Sequence, residues 1–371
     1  MTEQVDLAII GGGCAGLSLA RRLAEDGYSG SVRVIEPREI YDDDRSWSFW
    51  DRNSHPLASA QWRAWRLSKA DGSALTHESA RWRYQYVRSG DFYAGAEAVL
   101  AATPHIELLR GVRLERMSEN GTGVSLDTSD GAFQARRVVD TRPAPRSARA
   151  HLYQCFTGVE VEAHGAFDDG AVGLMEDMRV GPHGFEFTYR LPFSPDRALI
   201  EHTVFSPRRV EPQSLIPALD AKLARRGLAG ARERRREGAV LPMGLIDPRP
   251  ASPRGVVRAG AAAGAMRPAT GYAFRRIEAW AGQCAQSLLH GAEPLAETGR
   301  SHAAYWFDRV FLRALQRADA PAPDWFFAMA GGLGGDGFAH FMSDSARVRD
   351  YGAVLTSLPP VPFLAAALRA A

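Results

Sequence analysis

The first residues that could do chemistry are glycines that directly follow an apolar stretch near the start of the chain. Residues 7–10 are apolar, Gly11, Gly13 and Gly16 follow, and after a helical pattern a second apolar run ends at Glu36. In such a unit Gly11 permits a tight turn, Gly13 lets backbone N–H groups approach a pyrophosphate, and Gly16 lets helix and strand pack closely. The helix N-terminus favours phosphate charge, and Glu36 is placed to accept the hydroxyls of an adenosine ribose. The pattern predicts a dinucleotide-binding βαβ unit.

A second glycine-rich segment lies far downstream, before another helical pattern. It contains Gly260, Gly264, Thr270 and Gly271. Proteins that bind flavin adenine dinucleotide (FAD) assemble their site from such distant segments, and a helix that begins here would point its N-terminus at the flavin ring. That dipole favours the negative charge that a reduced flavin carries on its N1/C2 carbonyl side. We therefore predict that these four residues bind FAD; the alternative is an ordinary strand–loop–helix connection.

The elements that must position these residues alternate between strand and helix patterns. A helix is predicted over residues 89–101, and short strands that follow it suit a β-meander beside the nucleotide-binding unit. Residues 41–50 are predicted to form a polar, aromatic loop, and residues 214–237 an Arg-rich helical stretch. The predicted domains are a discontinuous FAD-binding domain at 1–152 and 238–300, a substrate-binding domain at 153–237, and a helical C-terminal region at 301–371.

Composition excludes several other classes of protein. A chain of 371 residues fits two packed domains, and a net charge of +2 without a basic, aromatic stripe argues against nucleic acid as a partner. Cys14, Cys155 and Cys284 form no C-x-x-C pair, so we expect a reducing compartment and no metal site. The first strand pattern begins too close to Met1 for a signal peptide, and no apolar run approaches the roughly 18 residues of a spanning helix. We expect a cytoplasmic protein that meets a membrane, if at all, at its surface.

Several motifs together resemble the bacterial lycopene β-cyclases, a family of FAD-dependent carotenoid cyclases. The motifs are Gly-Gly-Gly-Cys-Ala-Gly at 11–16, Asp-Arg-Ser-Trp at 44–47, Leu-Ile-Glu-His-Thr at 199–203, Pro-Ala-Thr-Gly-Tyr at 268–272, and the chain end at 354–364. The similarity runs over nearly the whole length of the chain. It implies an α/β fold of the p-hydroxybenzoate hydroxylase-like type: an FAD-binding Rossmann-like domain, an inserted β-sheet substrate domain and a helical C-terminal region.

The resemblance also implies an isomerase that uses reduced FAD without net redox change, with NAD(P)H as the source of electrons. Its substrates would be lycopene and other ψ-ended carotenoids, whose open ends are closed to β-ionone rings, giving γ-carotene and then β-carotene. An FAD-dependent monooxygenase or reductase acting on an apolar polyene or isoprenoid is the alternative. Such hydroxylases usually carry Asp-Gly where this chain has Asp140-Thr141, and Gly-Asp where it has Gly260-Ala261. Both departures favour the cyclase.

The reaction that this resemblance implies needs a carboxylic acid that stays protonated near neutral pH. Glu201 lies in an apolar strand, where desolvation would raise its pKa, and we predict that it is the principal acid or base. A strand Glu paired with Arg190 or Arg197 is the alternative. A second open question is whether Glu201 or the reduced flavin delivers the proton.

Asp44, Arg45 and Trp47 are predicted to assist catalysis from the loop after the βαβ unit. Arg45 would also contact the cofactor, and Trp47 or Trp50 would stack beside a cation or the polyene. The alternative is an Arg–Asp surface pair beside a buried Trp. Related cyclases usually have an acid at the position of His202; this His could replace that acid, or it faces the other side of the strand as a spectator.

Because lycopene resides in bilayers, we expect peripheral association with the cytoplasmic side of a membrane. The apolar segments 325–333 and 362–368 would dip into the interface, and the Arg-rich run 225–236 would meet anionic headgroups. A buried core helix and a solvated helix face are the alternatives. The oligomeric state has no signal in the sequence.

Overall fold

The described residues form three β-sheets, three helices that lie between their strands in the chain, and a set of helices that follow the last strand. The computed structural model describes residues 3–246, 252–297, 302–317 and 319–369. The strands are β1 (Gln4–Ile10), β2 (Val32–Glu36), β3 (Ser46–Asp51), β4 (Ala60–Trp62), β5 (Ala64–Lys69), β6 (Ala74–Glu78), β7 (Arg83–Arg88), β8 (Ile106–Arg110), β9 (Leu114–Asn120), β10 (Gly123–Thr128), β11 (Gly131–Asp140), β12 (Ala150–Glu162), β13 (Val172–Gly181), β14 (Gly184–Ser194), β15 (Arg197–Ser206), β16 (Arg232–Leu245) and β17 (Val256–Arg258). The helices are α1 (Cys14–Glu25), α2 (Ser89–Ala101), α3 (Pro212–Arg225), α4 (Phe274–Leu289), α5 (His302–Leu315), α6 (Ala322–Met342), α7 (Val348–Ser357) and α8 (Pro360–Leu368).

The first sheet carries the predicted βαβ unit. Its strands run in the order β8-β2-β1-β11-β10-β9, with β17 beside β11, and β1 pairs in parallel with both β2 and β11. Leu7 and Ile9 pack into one apolar cluster with α1 and α4, whereas Ala8 and Ile10 pack into a second cluster on the opposite face. Successive side chains of a strand point to opposite faces, so a strand covered on both sides is continuously apolar. This explains the apolar run before the glycines.

The second sheet has the order β16-β12-β15-β14-β13-β5-β6. It includes β5 and β6, which precede residue 153, and β16, which continues past residue 237. The predicted domain boundaries therefore do not coincide with the ends of this sheet, and the boundary at 300/301 lies outside the described residues.

The helix predicted over residues 214–237 is wrong in its second half. Helix α3 ends at Arg225, and Gly227 then adopts the left-handed conformation with φ of +72°. This conformation ends helices and favours glycine. From Arg232 onward the chain pairs with β12, so the arginine-rich run belongs to a strand at the edge of the sheet.

The predicted loop at residues 41–50 is also wrong in its second half. Strand β3 begins at Ser46 and pairs with β7, and β4 completes a three-stranded sheet. In β3, Phe49 and Trp50 are buried. These two rings of the predicted loop are therefore core residues.

Helices α5 to α8 cover the second sheet. Trp325, Phe326 and Met329 of α6 are buried in the same apolar cluster as residues of that sheet, so the segment 325–333 is a core helix and does not dip into an interface. Gly334 breaks the helical geometry of α6 with φ of 65°. Among the described residues no single helix is long and apolar enough to span a membrane; α7 and α8 reach that length and apolarity only as a pair bent by 113°.

Replacing Gly16 by Ala is expected to destabilise the first sheet. A Cβ atom at this position would lie 1.9 Å from the carbonyl oxygen of Gly11, so helix α1 must move away from β1. We expect a loss of about 1–3 kcal/mol in the free energy of unfolding, measured in urea. The control is Gly282→Ala in α4, where a Cβ meets nothing within 4 Å and where Ala should add about 0.5–1 kcal/mol. Equal midpoints for Gly16→Ala and the parent protein would contradict this packing.

Candidate active site

A cleft of about 840 Å³ lies between the glycine-rich turn of the first sheet and the face of the second sheet. It gathers residues from distant parts of the chain. The predicted site residues on its wall are Gly11, Gly13, Glu36, Asp44, Arg45, Trp47, Glu201, Thr270 and Gly271. The fold therefore brings nine of the predicted site residues to one cleft, although they are up to 260 positions apart in the numbering.

The N-terminus of α1 opens into this cleft. Gly13 is the N-cap residue and no side chain caps the helix, so N–H groups of the first turn remain available. A Cβ at Gly13 would meet nothing within 4 Å, which leaves space for a group that approaches the backbone closely. Gly11 has φ of +99°, as the tight turn requires. These features fit the diphosphate of a dinucleotide.

Glu36 lies at the end of β2 beside this turn. Its Oε2 accepts a hydrogen bond of 2.8 Å from the backbone N–H of Gly12, and its Oε1 accepts one of 2.8 Å from Nε of Arg38. Arg38 therefore holds the carboxylate against the glycine turn, on the cleft wall, where a ribose would be bound.

Gly260 and Gly264, which the sequence assigned to FAD binding, do not line the cleft, and neither does Gly16, which has the packing role expected of the third glycine of the turn. Gly16 packs against the carbonyl of Gly11. Gly260 and Gly264 flank a short 3₁₀ turn with φ of 77° and 99°, and a Cβ at Gly260 would lie 3.0 Å from that of Ala15. Gly260 and Gly264 set the backbone conformation of this turn, and their neighbour Ala261 lines the cleft.

The second turn reaches the cleft at Thr270 and Gly271, just before α4 begins at Phe274. No side chain caps α4, so its N-terminus also offers N–H groups here. Beside Gly271, Oε1 of Gln154 is buried and has no hydrogen-bond partner within the described part of the chain. A buried acceptor without a partner is costly, and a bound N–H or O–H group would satisfy it. The site thus fits a polar ring system at this end.

Asp44 and Arg45 form an ion pair with each other at the rim of the cleft, with 2.9 Å between Oδ1 and Nε. This is the surface pair that the sequence left open as an alternative. Trp47 packs its ring at 5.4 Å from that of Phe274 and at 5.2 Å from that of Phe92. It therefore anchors β3 to the start of α4 and forms part of the cleft wall.

Glu201 lies in β15, directly opposite Gly158 of β12 and Tyr189 of β14. It is only 8% exposed, and its Oε1 accepts a hydrogen bond of 2.6 Å from the Thr203 hydroxyl. Burial, followed by the negative charge of Glu237, raises the pKa of Glu201 to about 8. The carboxyl group is therefore mostly protonated near neutral pH.

The alternative of a salt-bridged Glu201 is wrong. Arg190 lies 3.2 Å from Glu176, and Arg197 lies 3.6 Å from Glu160. Among the described residues Glu201 has no ion-pair partner within 4.0 Å.

His202 faces the opposite side of the second sheet from Glu201. It lies between Thr157 and Thr188 in the strand register, with Nε2 at 3.8 Å from Oε2 of Glu186. Burial and the nearby ammonium group of Lys222 lower the pKa of His202 to about 4, so the ring is neutral. His202 is therefore the spectator of the two alternatives and does not replace an acid in the cleft.

An apolar cavity of about 360 Å³ adjoins the cleft. Most of its wall comes from the second sheet and from helices α5 to α8. Tyr189, Thr270 and Tyr272 line both spaces, so the cavity meets the cleft beside Glu201. Burial raises the pKa of Tyr84 to about 12 and that of Tyr272 further, so these phenols stay neutral. Sequence reasoning missed these tyrosines, although Tyr272 lies in a motif that it used.

A family model described as "Lycopene cyclase protein" matches residues 6–368. The chain belongs to the lycopene cyclase family. It is 29% identical to a lycopene β-cyclase from Pseudescherichia vulneris, over 99% of this chain and 97% of the other. It is 28% identical to a lycopene β-cyclase from a Paracoccus strain, over 96% and 95% of the two chains.

Solved structures confirm the predicted fold class. A geranylgeranyl bacteriochlorophyll reductase-like protein from Thermoplasma acidophilum matches with a TM-score of 0.63 and 14% identity, over 97% of this chain and 98% of the other. The p-nitrophenol 4-monooxygenase of Pseudomonas putida matches with a TM-score of 0.59 and 12% identity, over 99% and 98%. The lycopene cyclase family thus shares its architecture with monooxygenases and reductases, and its fold does not decide its reaction.

Proposed function

We propose that this protein is an FAD-dependent lycopene β-cyclase, an isomerase that closes the ψ-ends of lycopene to give γ-carotene and then β-carotene. One observation carries the proposal: the buried Glu201 carboxyl group, which has no ion-pair partner among the described residues, lies where a glycine-lined cleft meets an apolar cavity. A dehydrated carboxylic acid beside an apolar space is what the protonation of an alkene needs. The names of the two bacterial relatives support the same reaction.

Glu201 would give its proton to the terminal double bond of the carotenoid end group. The neighbouring double bond then attacks the tertiary cation, and loss of a ring proton to the Glu201 carboxylate restores the acid. The rings of Tyr189 and Tyr272, which line the junction, would exclude water and present π-electrons to the cation. No oxidation or reduction of the carotenoid takes place.

The cleft residues would hold FAD by its diphosphate at Gly11 and Gly13, by its ribose at Glu36, and by its ring near Thr270 and Gly271. When it is bound in the reduced state, the flavin supplies negative charge that stabilises a nearby cation. We propose NAD(P)H as the source of its electrons. The monooxygenase alternative is disfavoured because the family is that of the lycopene cyclases.

Conversion of lycopene in cells that accumulate it tests the proposed function. Expression of this chain should change the extracted pigment from lycopene to γ-carotene and β-carotene, separated by liquid chromatography. Unchanged lycopene in the presence of folded, flavin-loaded protein would contradict a cyclase. An oxygenated product with consumption of NAD(P)H would instead support a monooxygenase.

We also propose that the protein lies on the cytoplasmic surface of a membrane, with the apolar cavity opening toward the lipid. Leu355 and Leu364 line this cavity and are 58% and 64% exposed, so they lie at its mouth. On α8, Val361, Leu364 and Leu368 recur with helical spacing, and Val361 and Leu368 are 75% and 85% exposed. An exposed apolar helix face beside a cavity for a hydrocarbon suits an interfacial helix.

The arginine-rich run contributes less to this surface than the sequence suggested. Arg234 is ion-paired with Glu162, and Arg236 with Glu233. Because their charges are balanced locally, the membrane proposal rests on α7 and α8.

The double substitution Val361→Ser and Leu368→Ser is expected to weaken binding to lipid vesicles by at least about 100-fold, because the two side chains together lose apolar burial worth about 3–6 kcal/mol. Neither residue lines the cavity, so turnover of lycopene delivered in detergent should persist. Co-sedimentation with vesicles measures the effect. Val180→Ser is the matched control, since Val180 is 58% exposed on a strand of the second sheet. Equal vesicle binding by the double variant and the parent protein would overturn this orientation.

A further inference from the structure

A second buried carboxylate, Glu237, lies beside Glu201 in the cleft. Gly158 of β12 is the register partner of Glu201 on one neighbouring strand and of Glu237 on the other. Directly opposed residues of neighbouring strands point to the same face of a sheet. The three residues therefore form one row across three strands, and both carboxylates line the cleft.

Gly158 makes this arrangement possible. A Cβ at Gly158 would lie 3.3 Å from Cβ of Glu201, tighter than almost all real contacts of this kind. Because Gly158 has no side chain, the space between the two carboxylates stays open. No other side chain of the row separates them.

Glu237 is held in place by groups that favour its charged form. The Ser46 hydroxyl donates to its carboxylate, with 3.0 Å to Oε1 and 3.1 Å to Oε2, and Nη1 of Arg235 donates to Oε2 at 2.7 Å. Arg235 is itself oriented by the Tyr86 hydroxyl, which lies 2.6 Å from its Nη2. Glu201, in contrast, accepts a hydrogen bond only from the Thr203 hydroxyl among the residues that the structure describes. Burial raises the pKa of Glu237, and Arg235 opposes that rise.

We propose that Glu237 is a positioning residue of the cyclisation: its ionised carboxylate, fixed by Ser46 and Arg235 across Gly158, holds the proton of the pair on Glu201. Two like charges in one row of a buried site disfavour each other, so one proton is retained by the pair. The carboxylate with the arginine partner stays ionised, and Glu201 keeps the proton. The same charge makes Glu201, once it has given its proton away, a stronger base for the ring proton. This inference rests on the proposed function.

The other titratable groups around the pair leave this assignment unchanged. Asp43 and Glu160 lie 3.4 Å and 3.6 Å from Nε of Arg235, and Arg88 pairs with Asp43. Four phenols with raised pKa values also lie near the pair, namely Tyr84, Tyr86, Tyr189 and Tyr272.

The test is the pH profile of lycopene cyclisation by the FAD-loaded variant Glu237→Gln. Activity of the parent protein should fall as the pH rises through about 8, where Glu201 loses its proton. In Glu237→Gln this fall should move to lower pH by about one unit or more, with activity regained on acidification. Glu237→Asp keeps the charge, so its pH profile should lie close to that of the parent protein. The control is Glu176→Gln, a buried carboxylate of the same sheet with two arginine partners but outside the cleft, whose profile should match the parent.

Infrared titration of the buried carboxyl band gives a readout that does not depend on turnover. The band lost in Glu201→Gln should titrate at lower pH in Glu237→Gln than in the parent protein. If Glu237→Gln does not fold, Ser46→Ala should produce a smaller shift in the same direction, because it removes the hydrogen bond that the Ser46 hydroxyl shares between the two oxygens of the Glu237 carboxylate. An unmoved profile and band would overturn the proposal, as would loss of turnover at every pH, which would make Glu237 a proton-transfer group. If the parent forms no cyclic carotenoid, the proposed function fails, and the infrared shift still decides the role of Glu237.

Discussion

Glu201→Gln should lower the rate of ring formation by on the order of 10³-fold, while FAD stays bound. The amide keeps the shape of the carboxyl group and still accepts the hydrogen bond from Thr203. It cannot give up a proton, so protonation of the alkene fails. Single-turnover assays with reduced flavin and lycopene, followed by pigment analysis, measure the loss. Flavin absorbance of the purified variant shows that the cleft is intact.

The neighbouring variant His202→Gln is the control for this experiment. His202 lies on the opposite face of the sheet and is neutral, so its replacement should leave the rate and pH profile of cyclisation close to those of the parent. Full activity in Glu201→Gln would exclude Glu201 as the essential acid and favour proton delivery by the flavin. A large loss in His202→Gln with folding preserved would contradict the spectator role.

Gly13→Asp should weaken FAD binding by on the order of 100-fold or more. The same substitution should slightly stabilise the flavin-free protein. Asp is a slightly better N-cap residue than Gly, and no side chain of the described residues caps α1, so the variant should gain roughly a few tenths of a kcal/mol in the free energy of unfolding. The new carboxylate would occupy the space beside Gly13 and repel the diphosphate. Fluorescence titration with FAD and urea unfolding of the flavin-free protein measure the two opposite effects.

The control places Asp at the N-cap position of another helix that no side chain caps. Glu211 is the N-cap residue of α3, where no side chain caps the helix and no cleft residue is present. Glu211→Asp should leave FAD affinity unchanged. Wild-type affinity in Gly13→Asp would mean that the diphosphate does not lie at the start of α1.

The sequence predicted those parts of the fold whose signals are local. One example is the segment from Gln4 to Glu25, which contains a strand, the glycine turn and a helix. Its apolar runs and the backbone freedom of its glycines are visible in the local sequence. Glu201 could also be predicted, because its motif and its apolar strand are contiguous. The predictions were wrong for the segments that form β3 and β16. These segments are polar or aromatic, and they become strands only through pairing with the distant strands β7 and β12. Their backbone hydrogen bonds come from tertiary structure, which overrides local preference.

By itself the sequence determined a dinucleotide-binding unit, a buried acid and membership in a family of cyclases. Only the tertiary structure decided which carboxylate stands beside that acid. The motif places His202 next to Glu201 in the chain, but adjacent residues of a strand face opposite sides of the sheet. The row across β15, β12 and β16 instead brings Glu237, 36 positions away in the numbering, to the same face as Glu201. Long-range pairing and the open space at Gly158 set the register between these strands. No local sequence pattern predicts that register.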